Sequence, residues 1–469
     1  MSRRFVLAVA ILAAFVAGVI GAQADPSGQT VPKVKHVFII VLENENADQT
    51  FGPQSQIPYL ADTMRSEGAY IPDYWAIGHL SLDNYIAMVS GQAPNAQTQA
   101  DCQFFTDFLP GTPTSNGQYI GQGCLYPPGV QNIATQLEGN GWTWKGYMQD
   151  MDLASTPSKE ETCRHPDINS QDHTQSATPQ NQYAARHNPF VYFQSIIDFD
   201  TCKQNDVDLE HLNTDLGSEA TTPNYSFITP DLCNDGHDGD GTPGSCADGG
   251  PGGMVQANSF LQEWVPKITN SAAFKDRGLL LVTFDEAEGD PREGTTDASA
   301  CCNEQPGPNT INPGGPVVGP GGGKIGAVAL SPCIAPGTVT HEDYNHYSLL
   351  RWVEDNFDLP HLGYAGQANG VNSFDAKVLS DPTCGEGGGG TTTTTTTSST
   401  TTTTTTGTTT TTPTDSTTTT AGSGGTAGAV GQQPPPLCTT LRKKLKKAKK
   451  AGDRAKVRKL RRRLRNLGC

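Results

Sequence analysis

Two short apolar runs, the second interrupted only by Thr283, dominate the hydropathy of this chain, at residues 37–42 and 279–284. Both are rich in aliphatic and β-branched residues and too short for a buried helix, so each reads as a strand covered on both faces. Each stops abruptly on oxygen donors, Glu43-Asn44 in the first case and Asp285-Glu286 in the second. Buried strands of an open α/β sheet deliver functional groups at this carboxyl edge.

The remaining pattern alternates between helical and strand periods. Helical spacing predicts helices over residues 57–67, 81–89, 132–139, 254–265 and 344–357, with Ser90-Gly91 ending the second and Pro266 the fourth. Extended segments are predicted over 69–77, 142–148, 225–229 and 325–330. This alternation implies an α/β fold with a mostly parallel central sheet between helical layers. Loops rich in Gly, Pro and Asp, at 234–253 and 287–323, are expected at the rim of the site.

Composition divides the chain further. Met1-Ser2-Arg3-Arg4, an apolar stretch from Phe5 to Ile20 and the small residues of Ala22-Gln23-Ala24 form the pattern of a signal peptide over 1–24, with a mature start at Asp25. A retained membrane anchor is the alternative reading, and the paired arginines fit either twin-arginine or general export. The chain is therefore expected to be secreted or attached to the cell surface. Twelve cysteines in such a chain imply disulfides rather than zinc, and no Cys-x-x-Cys pattern occurs. Their pairing is not legible from the sequence.

Residues 25–384 are long and mixed enough for one catalytic domain, whereas 385–437 are almost entirely Thr, Gly, Ser, Ala and Pro and offer nothing to pack. The last segment, 438–469, holds 15 of the 32 Lys and Arg residues and a single acid, Asp453. Removing this +14 tail takes the net charge from −16 to −30. Leu441, Leu445, Ala448, Val457, Leu460, Leu464 and Leu467 fall at helical spacing around a break at Ala451-Gly452-Asp453, which predicts a basic helical hairpin clipped by Cys438 and Cys469. Clustered cations of this kind suit an anionic wall polymer or membrane surface. Nucleic acid is the weaker partner for an exported chain, and a solvated tail without any partner is the bland alternative.

Ser81-Leu82-Asp83-Asn84 places a hydroxyl and an amide at a predicted helix start. A serine nucleophile needs a metal or base to favour its alkoxide, and a helix start supplies N–H donors and positive potential for a phosphate. A simple N-cap is the competing reading of Ser81. The acids and amide of the two strand ends would suit a hard or borderline divalent ion, Ca²⁺, Mg²⁺, Mn²⁺ or iron, although acidic pairs also open ordinary turns. His79, His187, His237 and His346 are candidate site histidines, with solvent-exposed loop or cap roles as alternatives.

Several segments together resemble the bacterial phosphoesterase family of acid phosphatases and phosphatidylcholine-type phospholipases C, on the alkaline-phosphatase-like fold. They are Val34 through Asn44 with Phe51-Gly52, His79 through Tyr85, Arg186 through Phe190, Asn224 through Asp238, and Thr283 through Glu286. The resemblance covers roughly residues 34–360 and implies metal ligation by Glu43, Asn44, Ser81, Asp285 and Glu286. It further implies Ser81 as nucleophile, His187 and His237 against the phosphoryl group, and Asn84 near substrate one turn after the nucleophile; His79, close to Ser81 in sequence, is a candidate substrate contact on that ground alone. The chain departs from the family pattern at Glu45 through Gln49, and at Leu80 and Asp83, where prolines are usual; Asp83 adds a carboxylate beside the site.

These readings make the chain an exported, metal-dependent phosphoric-ester hydrolase of acid-phosphatase type, acting on a phosphoester substrate through a phosphoserine. The alternatives are a phospholipase C-type phosphodiesterase and a noncatalytic surface-binding protein.

Overall fold

The computed structural model describes residues 23–24, 30–151, 162–288, 296–315, 318–367, 370–381, 384, 446 and 450. The signal-peptide reading, the Thr-rich linker and the basic hairpin lie outside the described residues, apart from Gln23 and Ala24 in the first and helical Lys446 and Lys450 in the last. The chain divides into two units, Met1–Gly385 and Glu386–Cys469. Among the described residues no helix is long and apolar enough to cross a membrane.

An eight-stranded sheet organises the first unit. In chain order its strands are β1 His36–Leu42, β2 Ala69–Ile71, β3 Trp144–Met148, β4 Asp206–Asp208, β5 Tyr225–Thr229, β6 Gly278–Phe284, β7 Ala327–Leu330 and β8 Thr338–Val339. Their spatial order is β4-β3-β5-β1-β6-β7-β2-β8. The first five of these strands are mutually parallel, and only β7 runs against its neighbours. The expected mostly parallel α/β sheet is therefore present.

All seven residues of β1 and all seven of β6 are buried. Central strands covered on both faces need this continuous apolar sequence, and the two runs that stand out in the hydropathy are the two at the centre. The short β4 carries Asp at both ends and β8 has only two residues, so neither leaves an apolar signature.

The principal helices are α1 Ser81–Ser90, α2 Ile133–Gly139, α3 Gly253–Thr269, α4 Ala272–Lys275 and α5 His346–Asn356. Every residue of α1 is buried, and it packs against α5. Gly91 ends α1 at φ 65°, where a Cβ would meet the Leu362 carbonyl oxygen at 2.3 Å; only glycine fits. Helix α3 continues past Pro266, where the sequence predicts its end. Proline removes one donor near the helix terminus, and the Gln262 carbonyl that loses it belongs to an exposed residue that water can reach. Residues Tyr344–Asn345, predicted as helix, instead pair with Tyr74–Trp75 before α5 starts.

Among the described residues five disulfides join Cys102 to Cys124, Cys163 to Cys202, Cys233 to Cys246, Cys301 to Cys302 and Cys333 to Cys384. The third clips the loop 234–253, and the fourth lies in the loop that covers His79.

Candidate active site

The register between β1 and β6 assembles the site. His36 pairs with Gly278 and Leu42 with Phe284, so the next residues, Glu43 and Asp285, emerge together at the carboxyl edge. The Asp285 N–H donates to the Leu42 carbonyl at 2.9 Å and extends the ladder by one step. Asn44 then turns to φ 53°, a left-handed conformation that Asn tolerates. Its backbone N–H donates to Asp285 Oδ1 and its Nδ2 to Glu286 Oε1, both at 3.0 Å.

Helix α1 brings Ser81 to this edge. Leu80 precedes it at φ 77°, a costly conformation for a branched side chain, and its N–H is held by both Glu286 oxygens at 3.1 and 3.0 Å. Ser81 is not the helix cap. Asp101 Oδ1 instead accepts from Leu82 N–H at 3.0 Å, which leaves the Ser81 hydroxyl to donate to Glu43 Oε2 at 2.8 Å. One turn later, the Tyr85 hydroxyl donates to Glu43 Oε1 at 2.5 Å.

His187 follows a short turn, Ala185–His187, and its ring stacks on Tyr85 at 5.4 Å. Its Nε2 lies 3.2 Å from Glu43 Oε2, an ion-pair contact without hydrogen-bond alignment, and its Nδ1 lies 3.9 Å from Asp235 Oδ2. His237 stands at the rim and is half exposed, with its N–H on Asp235 Oδ1 at 3.0 Å and its Nδ1 3.4 Å from Asp238.

His79 is buried behind the site. Its Nδ1 donates to Glu286 Oε2 at 2.6 Å and its Nε2 to the Asp297 carbonyl at 2.9 Å. Asn84 does not face the site: its Oδ1 accepts from Ile77 and Gly78 N–H, and its Nδ2 donates to the Gly78 and Leu80 carbonyls. Asn84 thus shapes the turn before Ser81. His346 donates from Nε2 to the Asp285 carbonyl at 2.7 Å, while Asn345, not His346, caps α5. Seven of the predicted residues, Glu43, Asn44, His79, Ser81, His187, Asp285 and Glu286, are thereby linked by direct contacts.

Four residues were not singled out by the sequence: Tyr85, Asp101, Arg186 and Asp235. Tyr85, Arg186 and Asp235 lie inside the segments that carry the family resemblance, Arg186 next to His187 and Asp235 two residues before His237, and this proximity was their only signal. Arg186 is buried, with Nε 3.8 Å from Asp101 Oδ2 and Nη1 donating to the Gln175 carbonyl at 2.9 Å. A buried guanidinium so held provides fixed positive charge next to the carboxylates.

Electrostatics sort the acids. Burial pushes the Glu43 pKa up, but His187, Arg186 and the Tyr85 hydroxyl outweigh it and hold the carboxyl below its usual range. Burial and the Glu43 charge push Asp235 and Asp285 well above theirs. Oδ2 of each is buried and accepts no hydrogen bond from the described residues. Buried carboxylates crowded in this way, with unpaired oxygens, fit an oxygen-liganded cation. For His79, burial opposes the charged form, but the Glu286 hydrogen bond prevails and raises the pKa. Asp238 raises His237 to about 9, against the effect of burial. Asp83, buried and without partners for either oxygen, is raised well above the ordinary range by burial and by Glu286, Asp101 and Glu304.

Two further groups with metal-like spacing, Cys163, Cys202 and Asp206, and Cys233, Cys246 and Asp248, each contain a disulfide and so offer no thiolate.

The chain is 27% identical over 340 residues to a probable acid phosphatase of Kluyveromyces lactis, covering 71% of this chain and 61% of that protein. It therefore spans about three-fifths of that relative's length. It is 23% identical to a phosphatidylinositol-3-phosphatase of Mycobacterium tuberculosis, covering 77% of this chain and 89% of that protein. Among solved structures it is similar to a protein of the alkaline phosphatase superfamily from Vibrio parahaemolyticus, at 11% identity and a TM-score of 0.36, covering 70% of this chain and 67% of that one. The Phosphoesterase family profile matches residues 54–360, well over half of the sequence, and the chain belongs to that family.

Proposed function

We propose that this chain is an exported, metal-dependent phosphomonoesterase with Ser81 as its nucleophile. The observation that carries this reading is the 2.8 Å hydrogen bond from Ser81 Oγ to Glu43 Oε2, beside the unpaired Asp285 oxygen. Glu43, Asp285, Ser81 and Asn44 Oδ1 would hold a single hard divalent ion, Ca²⁺, Mg²⁺, Mn²⁺ or iron. Asn44 presents Oδ1 because Glu286 already takes its Nδ2. Glu286, whose two oxygens both accept hydrogen bonds, orients Asn44, Leu80 and His79. When bound, the ion would neutralise charge developing on the phosphoryl oxygens.

The residues of the chain perform the remaining steps. Ser81 Oγ attacks phosphorus as its proton passes to the adjacent Glu43 and His187 pair. The ester P–O bond breaks, and His237, protonated below its raised pKa, donates a proton to the leaving alkoxide. Arg186, which stays charged despite burial because the surrounding carboxylates raise its pKa, supplies positive charge to the phosphoryl group. Water then attacks the phosphoserine, phosphate leaves, and Ser81 regains its proton.

Disulfides in a chain with a signal-like start support export, and the basic tail supports residence at an anionic surface. The test is turnover of p-nitrophenyl phosphate by the full chain and by Ser81→Ala, with acid quenching and mass spectrometry of the Ser81 peptide. Abolished turnover in the variant and a phosphorylated peptide in the parent are expected. Undiminished turnover in Ser81→Ala removes the residue from the mechanism.

A further inference from the structure

A cavity of about 250 Å³ opens beside the turn that carries His187. Its wall includes Arg164, His165, His173, Thr174, Tyr183 and Ala185. Ala185 begins the Ala185–His187 turn, and its N–H donates to Thr174 Oγ1 at 2.8 Å, so the cavity and the phosphoryl site share one backbone segment.

Arg164 is the anomaly in this wall. Only 7% of the residue is exposed, and among the described residues no carboxylate lies within ion-pair distance of its guanidinium. Nη1 donates to the Met151 carbonyl at 3.3 Å and to Asn181 Oδ1 at 3.2 Å, while the guanidinium lies 4.8 Å from the Tyr183 ring centre. No protein acceptor among the described residues takes a hydrogen bond from Nη2 or Nε. Burial lowers the pKa of this guanidinium, with Tyr183, Asp150 and Asp172 opposing that effect.

The acids of the wall do not neutralise it either. Asp172 accepts from Thr174 N–H and Oγ1 through Oδ1 and from Gln175 Nε2 through Oδ2, and Asp167 is exposed. Burying a charge that no described carboxylate pairs is expensive, and a cavity-lining guanidinium with donors that no described residue takes matches a phosphate or carboxylate. His165 also lines the cavity, with its Nδ1 donating to the Pro166 carbonyl at 2.8 Å.

We propose that the Arg164 cavity binds a second anionic group, a phosphate or carboxylate, carried on the leaving group of the substrate. The assignment rests on the phosphoesterase reading above and narrows it to monoesters whose alcohol is itself charged, such as a phosphorylated polyol. A small neutral alcohol leaves the cavity unused.

The test compares p-nitrophenyl phosphate with a myo-inositol bisphosphate on the full chain, Arg164→Gln and Arg164→Lys. Arg164→Gln should lower kcat/KM for the bisphosphate by about tenfold or more, mainly through KM, with p-nitrophenyl phosphate changed less than about twofold. Arg164→Lys should lie between. Equal losses on both substrates, or none, overturn the proposal. Should Arg164→Gln fail to fold by circular dichroism, Arg164→Lys and the exposed rim variant His173→Ala carry the same comparison. Calorimetric titration of Ser81→Ala with inorganic phosphate and with the bisphosphate separates the sources. Tighter bisphosphate binding that needs Arg164 supports the proposal, and an Arg164-dependent site for free phosphate without bisphosphate preference overturns it. An active Ser81→Ala sinks the nucleophile but leaves the substrate ratio readable, so the two failures are distinct.

Discussion

Ser81 Oγ reaches Glu43 Oε2 at 2.8 Å across 38 residues of sequence, joining the first turn of α1 to the end of the central strand β1. The contact exists because Glu43 faces inward from a fully buried strand and because Asp101 caps α1 in place of Ser81. The same Glu43 carboxylate also meets Tyr85 and His187, so its charge is fixed on both oxygens.

Glu43→Gln tests that arrangement. The amide keeps the shape but presents one donor and one acceptor where two acceptors are needed, so Tyr85 or Ser81 loses its partner. Turnover of p-nitrophenyl phosphate should fall by about a hundredfold or more. The melting temperature should fall little, since one of the crowded buried charges disappears. Kinetics and differential scanning calorimetry on the same preparation check both outcomes, and near-parental turnover would remove Glu43 from the chemistry.

Asn84→Ala separates a substrate contact from a scaffold. The resemblance to the family places Asn84 near substrate, yet both ends of its amide bind the backbone between Ile77 and Leu80. Two buried N–H groups would lose their acceptor, a cost of about 1–3 kcal/mol for each buried group left unsatisfied. The variant should therefore unfold at lower denaturant, and its kcat should fall through displacement of Ser81. A raised KM with unchanged stability would return Asn84 to the substrate.

The two strands were legible because β1 and β6 expose no face to water and carry near-continuous apolar runs, and α1 because its apolar stretch from Tyr85 to Val89 follows a polar start at Ser81. The meeting of Glu43 and Asp285 depends on the β1–β6 register, which follows from neither segment alone. What escaped the reading is held by long-range polar contacts. Arg186 is defined by Asp101 and Gln175, and β4 by its pairing with β3, so neither has a local pattern. Glu286 reads in the sequence as an equal partner of Asp285, but Asn44, Leu80 and His79 surround it on both oxygens.

Glu286→Gln follows from that difference. An amide cannot accept from Leu80 and His79 together and from Asn44 as well, so the Asn44 amide and the His79 ring lose their fixed orientation. Divalent-ion affinity, read by elemental analysis across a chelator titration, should fall about 10–100-fold, the usual size of an outer-contact effect. Removing the ion from the parent with chelator should abolish turnover, and adding back one of Ca²⁺, Mg²⁺, Mn²⁺ or Fe²⁺ should restore it. Full activity in metal-free protein would refute the cation reading altogether.

Glu354 provides a stability test away from the site. It is fully buried on α5, with Oε1 accepting from Leu362 N–H at 2.9 Å and Oε2 unpaired, and burial pushes its pKa up to about 9. A carboxyl whose pKa is higher in the folded than in the unfolded chain holds a proton that the unfolded chain releases. Its contribution is complete below the unfolded value of about 4.3 and is lost as pH rises toward the folded value, at a slope of up to about 1.4 kcal/mol per pH unit. The parent should therefore lose stability between about pH 5 and about pH 8.5, as other buried acids with raised values such as Asp206 reinforce. Glu354→Gln, neutral at every pH, should match the parent near the acid end, exceed it near the alkaline end and show a shallower slope in urea titrations. A variant that runs parallel to the parent across the range would mean that Glu354 is ionised in the folded protein and that its buried oxygen has found another partner.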